Sequence, residues 1–167
     1  APRVATQTVD LLAPRAYFRG YTPREIRDLR LAVRGSVTVQ AYATTADSYF
    51  ASFAILDADG TPLMERTFGG GQYDMLPITI EDGPVTLTAE FTADDMREAA
   101  VNISAGLNSD PLAARYVKVT IGGRDGENWN GAYGAEFFDW EVSLGLFPPS
   151  PPSPPPSPPS PPAAAAS

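Results

Sequence analysis

Within the glycine-bounded run Gly122 to Gly134 lie Arg124, Asp125, Glu127, Asn128, Trp129 and Asn130. These types suit the holding of a polyol. An amide both donates to and accepts from paired hydroxyls, and an indole face stacks on the apolar C–H face of a pyranose. Asp125, Asn128, Trp129 and Asn130 are therefore the candidate carbohydrate-binding residues. Asp125 and Glu127 also form a carboxylate pair. A glycosidase needs its two acids facing each other across the scissile bond, and two acids on one glycine-rich loop imply no such cleft. A Trp in a polar loop is unusual, since exposing the ring forfeits roughly 2–3 kcal/mol of burial. Trp129 either folds back as a plug or waits for a ligand. No helical pattern follows Gly122, Gly123, Gly131 and Gly134, so phosphate-loop and dinucleotide readings fail.

The loop needs elements to position it. Tyr116 to Ile121 alternates as a strand that breaks at Gly122-Gly123, and Ala135 to Leu144 reads as the returning strand. Together they suggest a hairpin with a functional tip. Upstream, Ala5 to Leu12 reads as a first strand. Thr22-Pro23-Arg24-Glu25 is a capping box with Pro at the first helical position, predicting a turn over 23–30. From Arg34 the period is two, with Val37, Val39, Ala41 and Ala43 on one face. Ser48 to Asp57 repeats this with both faces partly apolar, the mark of a central strand. Asp57-Ala58-Asp59-Gly60 reads as a hairpin turn, with a remote hint of calcium. Leu63 to Phe68 continues the meander, Gly69-Gly70-Gly71 ends it, and Pro84 to Thr92 is a further strand. Asp94 to Ala99 suits a helical turn and Asn108 to Pro111 a loop. Tyr133, Phe137 and Trp140 read as core or edge packing. Six to nine short strands between turn signals predict an all-β, antiparallel β-sandwich.

The stretch G-G-R-D-G-E-N-W-N-G-A-Y-G-A-E-F-F-D-W-E-V resembles the closing motif of the F-box-associated domain. That domain is the galactose-binding-like jelly roll of sugar-recognising F-box proteins. Gly122, Gly123, Asp125, Trp129, Gly131, Tyr133, Gly134 and Phe137 match its pattern. Gln7, Val9, Asp10 and Leu11 match its opening strand, and the resemblance covers about residues 6–144. It implies a jelly roll that holds sugars. The family's glycan-gripping aromatic, Trp and Lys fall on Asn128, Trp129 and Asn130, so only the Trp is kept. The chain contains no F-box ahead of the domain, so the ubiquitin-ligase role is not carried over.

Composition narrows function further. Of 167 residues, 20 are acidic and 12 basic, for a net charge of −8. That balance argues against nucleic acid and anionic membranes as partners. No run of about 18 apolar residues suggests a membrane span. The chain has no Cys and no His. Disulfides, thiolate metal sites and thiol catalysis are excluded, as are His-based triads and His-ligated zinc. The expectation is a non-enzyme without cofactor or metal. The start at Ala1 reads as that of a processed chain or fragment.

All charge lies before Pro148, and 148–162 is P-P-S-P-P-S-P-P-P-S-P-P-S-P-P. Each Pro removes a donor and fixes φ, so this segment predicts a polyproline II rod. At about 3.1 Å per residue it would be roughly 45 Å long. The division is thus a sandwich domain at 1–147, a Ser/Pro rod at 148–162 and an Ala-rich end at 163–167. The rod resembles hydroxyproline-rich glycoproteins of the extensin and green-algal wall type. That likeness implies hydroxylated, O-glycosylated prolines, with Pro149, Pro152, Pro155, Pro156 and Pro159 as acceptors. Asn102-Ile103-Ser104 is an N-glycosylation sequon at Asn102. Head and rod together suggest an extracellular matrix, cell-surface or filament glycoprotein. Its partners would be glycans, further copies of itself or other matrix glycoproteins. A secreted lectin is the rival reading.

Overall fold

A computed structural model describes residues 3–13, 31–42, 47–95, 114–125 and 134–145. They form β1 (Arg3–Asp10), β2 (Ala32–Gln40), β3 (Asp47–Leu56), β4 (Pro62–Phe68) and β5 (Leu76–Ile78). A 3-10 turn at Ile80–Asp82 leads to β6 (Val85–Phe91), β7 (Tyr116–Arg124) and β8 (Glu136–Gly145). A five-stranded sheet carries the order β1-β7-β3-β4, with β5 also paired to β3, and a three-stranded sheet the order β6-β2-β8. Every pairing is antiparallel. Strands distant in sequence interleave, β7 between β1 and β3, and β2 between β6 and β8. The expected all-β antiparallel sandwich is the fold, and its topology is jelly-roll-like.

The period-two pattern has the core as its cause. Tyr49, Ala51, Phe53 and Ile55 of β3, and Val117 and Val119 of β7, meet Val33, Val37, Val39, Leu87, Ala89 and Phe91 of the other sheet. Phe53 is fully buried. Its ring stands edge-on to Phe68 at 6.3 Å and 85°. On the opposite sheet it lies against Gly35, where any side chain would run into it. β3 is central, as its two apolar faces require, with Phe50, Ala54 and Leu56 buried on the other side.

The turns are held locally. Asp57 Oδ1 accepts from the Asp59 and Thr61 amides at 2.9 and 2.8 Å, and Gly60 takes φ +83°. Thr92 and Asp95 cap the helical turn that starts at Ala93, each accepting from the other's amide. Arg115 ties three strand ends together. Its side chain donates to Asp10 at 2.7 Å, its amide to Leu56 O at 2.8 Å, and its carbonyl accepts from Leu11 at 2.9 Å. Asp47 is 1% exposed and accepts from the Tyr42 amide at 2.9 Å, linking the end of β2 to the start of β3.

Three expectations are corrected. The strand after Tyr116 does not break at Gly122-Gly123 but runs through both to Arg124. β7 and β8 are not a hairpin, since β7 pairs β1 and β3 while β8 pairs β2 in the other sheet. Leu11 is buried, yet in the turn after a first strand that ends at Asp10. The helical turn over 23–30, the loop at 108–111 and the whole rod lie outside the described residues.

Gly35→Ala is expected to lower the unfolding free energy by about 1–3 kcal/mol through overpacking. Phe53→Ala is expected to lower it by about 3–5 kcal/mol, both read from urea denaturation. A pH dependence follows from Asp82. The Thr79 amide and hydroxyl donate to its carboxylate at 2.7 and 2.8 Å. These bonds, the amide's first, hold its pKa below the ordinary range. The folded value lies below the unfolded one, so the contribution is present at neutral pH and lost as pH falls through the folded value. Asp82→Asn is expected to be less stable than the parent at pH 7, with the gap closing below about pH 4.

Candidate functional site

The candidate loop leaves the described structure at Asp125 and returns at Gly134. Its two ends are apposed: a side chain on Gly134 would sit 3.1 Å from the Asp125 amide and 3.2 Å from the Arg124 carbonyl carbon. Residues 126–133 therefore depart from and return to one place. The glycines on either side serve close approach. On Gly122 the Phe50 ring lies where a side chain would be, and Gly123 faces Ala135, whose carbonyl oxygen would be 3.2 Å from an added Cβ. A strand that carries two glycines without breaking is explained by these neighbours.

At this neck opens a groove of about 430 Å³ between β1, the end of β7 and the start of β8. Arg3 and Ala5 line it from β1, Gly123 from β7, Ala135 from just before β8, and Glu136 and Phe137 from β8. The volume falls within the range of small-ligand sites. Gly123, Ala5 and Ala135 leave room, Phe137 supplies an aromatic surface, and Arg3 supplies donors. The Glu136 carboxylate is held by Gln40 Nε2 at 3.0 Å. Such a groove can take a neutral, hydroxyl-bearing ring with one apolar face.

Asp125 stands at the foot of the loop, directly after β7. Asn128, Trp129 and Asn130 lie outside the described residues, and so do Asn102 and Pro149, Pro152, Pro155, Pro156 and Pro159. The structure puts Gly122, Gly123 and Gly134 in the lining of the groove, and the Asp125 backbone next to Gly134 but outside that lining. Sequence reasoning missed the groove itself, because Arg3 and Phe137 are separated by most of the chain.

It also missed the state of the second tryptophan. The β2–β8 register slips between Ser36 and Thr38, so β8 carries one extra residue there. Asp139 takes φ +48° in this bulge, and Trp140 is 45% exposed rather than packed. A bulge re-aims side chains and is common at sheet edges. A signal existed in the two adjacent aromatics Phe137-Phe138, which strict alternation cannot bury on one face. The calcium hint at Asp57 and Asp59 meets a different use, since Asp57 serves the turn. Among the described residues no three acids gather as metal ligands. None of their helices is long and apolar enough to cross a membrane.

No family model matches the chain, and neither does any curated protein. Among solved structures, the T13 particle of infectious bursal disease virus is similar at 11% identity and a TM-score of 0.38, over 86% of this chain and 30% of that one. The Gx strain of the same virus gives 12% and 0.34, over 85% and 32%. The VP2 subviral particle of infectious bursal disease virus gives 12% and 0.32, over 86% and 31%. The chain thus spans about a third of those proteins, and likeness at this level carries no functional argument.

Gly134→Val is expected to push the loop's two ends apart, because the atoms it meets are backbone and cannot swing away. Limited trypsin digestion should then cut after Arg124 several times faster than in the parent, with the head still folded by circular dichroism.

Proposed function

We propose that the chain is a structural subunit of an extracellular matrix, cell-surface or filament glycoprotein. Its sandwich head contacts glycans or neighbouring subunits, and its Ser/Pro segment is a hydroxyproline-type rod. The observation that carries the glycan contact is the groove at the foot of the 126–133 loop. It opens at Gly134, where the chain resumes after the segment that bears Asn128, Trp129 and Asn130. The motif resemblance to a sugar-holding jelly roll supports the same reading. The uncharged rod and the sequon at Asn102 support secretion and glycosylation. In this reading Trp129 stacks on a sugar ring whose remainder enters the groove, where Arg3 donates to hydroxyl oxygens. No reaction is assigned to the site.

The groove also favours a second reading, a secreted lectin whose tail is a passive stalk. A glycan array with the full chain separates the two. Monosaccharide-inhibitable binding that Trp129→Ala abolishes makes the head a lectin. A blank array together with filament growth makes it a structural subunit. Mass spectrometry of the native chain tests the shared premise. Hydroxyproline with pentose increments on the 148–162 peptide is expected, and bare prolines on a cytosolic chain would end both readings.

A further inference from the structure

A sheet edge is a template for another strand, and proteins usually spoil it with charge, proline, a bulge or shortness. The edges of this sandwich differ in that respect. β8 carries the Asp139 bulge and three acids, Glu136, Asp139 and Glu141. β4 opens on Pro62 beside a register slip and bears Glu65 and Arg66, and β5 contains Pro77. β6, which directly follows Pro84, carries Glu90 within it. β1 follows Pro2 and has its charges, Arg3 and Asp10, only at its two ends, with an unbroken interior between them. It pairs with β7 residue for residue over Arg3 to Asp10 without a slip. From Val4 to Val9 its sequence is V-A-T-Q-T-V, with no charge and no proline. Residues 3–8 are exposed, Val4 at 49%. Among the described residues only β7 pairs with it.

We infer that β1 is a self-association edge, joining β1 of a second copy of this chain antiparallel across a two-fold axis. Charge selects the occupant. Two heads that share a net charge of −8 repel wherever acids meet, and the V-A-T-Q-T-V edge is where they approach without that cost. Geometry selects the register. A two-fold normal to the sheet keeps each face on its own side, so residues of equal parity must face each other. An axis at Gln7 pairs Gln7 with Gln7, Thr6 with Thr8 and Ala5 with Val9. Like thus meets like: amide with amide, hydroxyl with hydroxyl, apolar with apolar. An axis at Thr6 would instead set Ala5 against Gln7 and Arg3 against Val9. The interface is isologous and closes as a dimer. It joins two five-stranded sheets into one and sets the partner's Asp10 opposite Val4, at the rim of the groove.

This edge does not depend on the glycan reading, and its test reads self-association alone. Sedimentation velocity on the full chain is expected to give a concentration-dependent dimer. Gln7→Lys, which sets two ammonium groups against each other at the axis, is expected to weaken it about tenfold or more. Thr88→Lys, the same charge on the edge strand β6, should leave it unchanged. The chain has no cysteine, so a single introduced thiol reports the register. Gln7→Cys should cross-link spontaneously and Thr8→Cys should not. Gln7 is exposed, so the head should stay folded in these variants, as circular dichroism will check. A monomer at all concentrations, a dimer insensitive to Gln7→Lys but lost in Thr88→Lys, or cross-linking through Thr8→Cys in preference to Gln7→Cys would overturn the inference. A blank glycan array would leave it standing.

Discussion

The sandwich depends on one contact between its sheets, the Phe53 ring against the bare backbone of Gly35. A phenyl group at the centre of the wider sheet needs a partner without volume on the facing strand, and Gly35 of β2 is that partner. The rest of the core arranges itself around this fit. Val33 and Val37 on either side of Gly35 are fully buried, and Phe68 closes on the ring from the next strand. Interiors are packed as densely as organic crystals, so the position of one ring fixes the spacing of both sheets. A glycine inside a strand costs conformational entropy, and here the burial of a whole aromatic side chain offsets it.

Unequal sheet widths follow with consequences for the surface. The smaller sheet has three strands and the larger one five. The central contact places β3 over β2, and β1 at the margin of the wider sheet receives little cover. Six of its eight residues are exposed. The uncovered margin is where the groove lies and where the edge strand is plain. The chain's candidate functional features therefore gather where the second sheet runs out, while the opposite margin is closed by β4, β5 and their prolines.

What was legible in the residues was local. Alternation in β2, β3 and β6 foretold both strands and buried faces, and Asp57 to Gly60 foretold a turn that its own side chain holds. Strand partners were not legible, because pairing is decided by distant segments. The run from Tyr116 to Leu144 looks like a hairpin, since two strands flank one long glycine-rich loop. Nothing in that run records that β7 is claimed by β1 and β3 while β8 is claimed by β2. Gly122 and Gly123 looked like a break for the same reason. Their need for smallness comes from Phe50 and Ala135, and only the first of these lies in the strand that becomes their neighbour. The candidate loop was legible as chemistry, with Asp125 placed at its foot. The groove beside it is assembled from the two ends of the domain and had no local trace. Trp140 was misread because a bulge breaks the period on which the packing expectation rested.

One strand can serve both the groove and the self-association edge because strand geometry separates the two demands. Side chains stand perpendicular to a sheet, whereas edge amides and carbonyls lie in its plane. Arg3 and Ala5 share parity with Val9, whose ladder partner is the buried Val117, so they lie on the inward face. There they reach the groove, while the outer backbone edge of the same residues remains for a partner strand. Pairing of two β1 strands would then leave each groove open and stiffen one of its walls. Two such grooves on one rigid sheet would meet a repeating glycan together, and binding of the second would be intramolecular. In the proposed matrix role, that would supply a physical route from weak single contacts to a cohesive network.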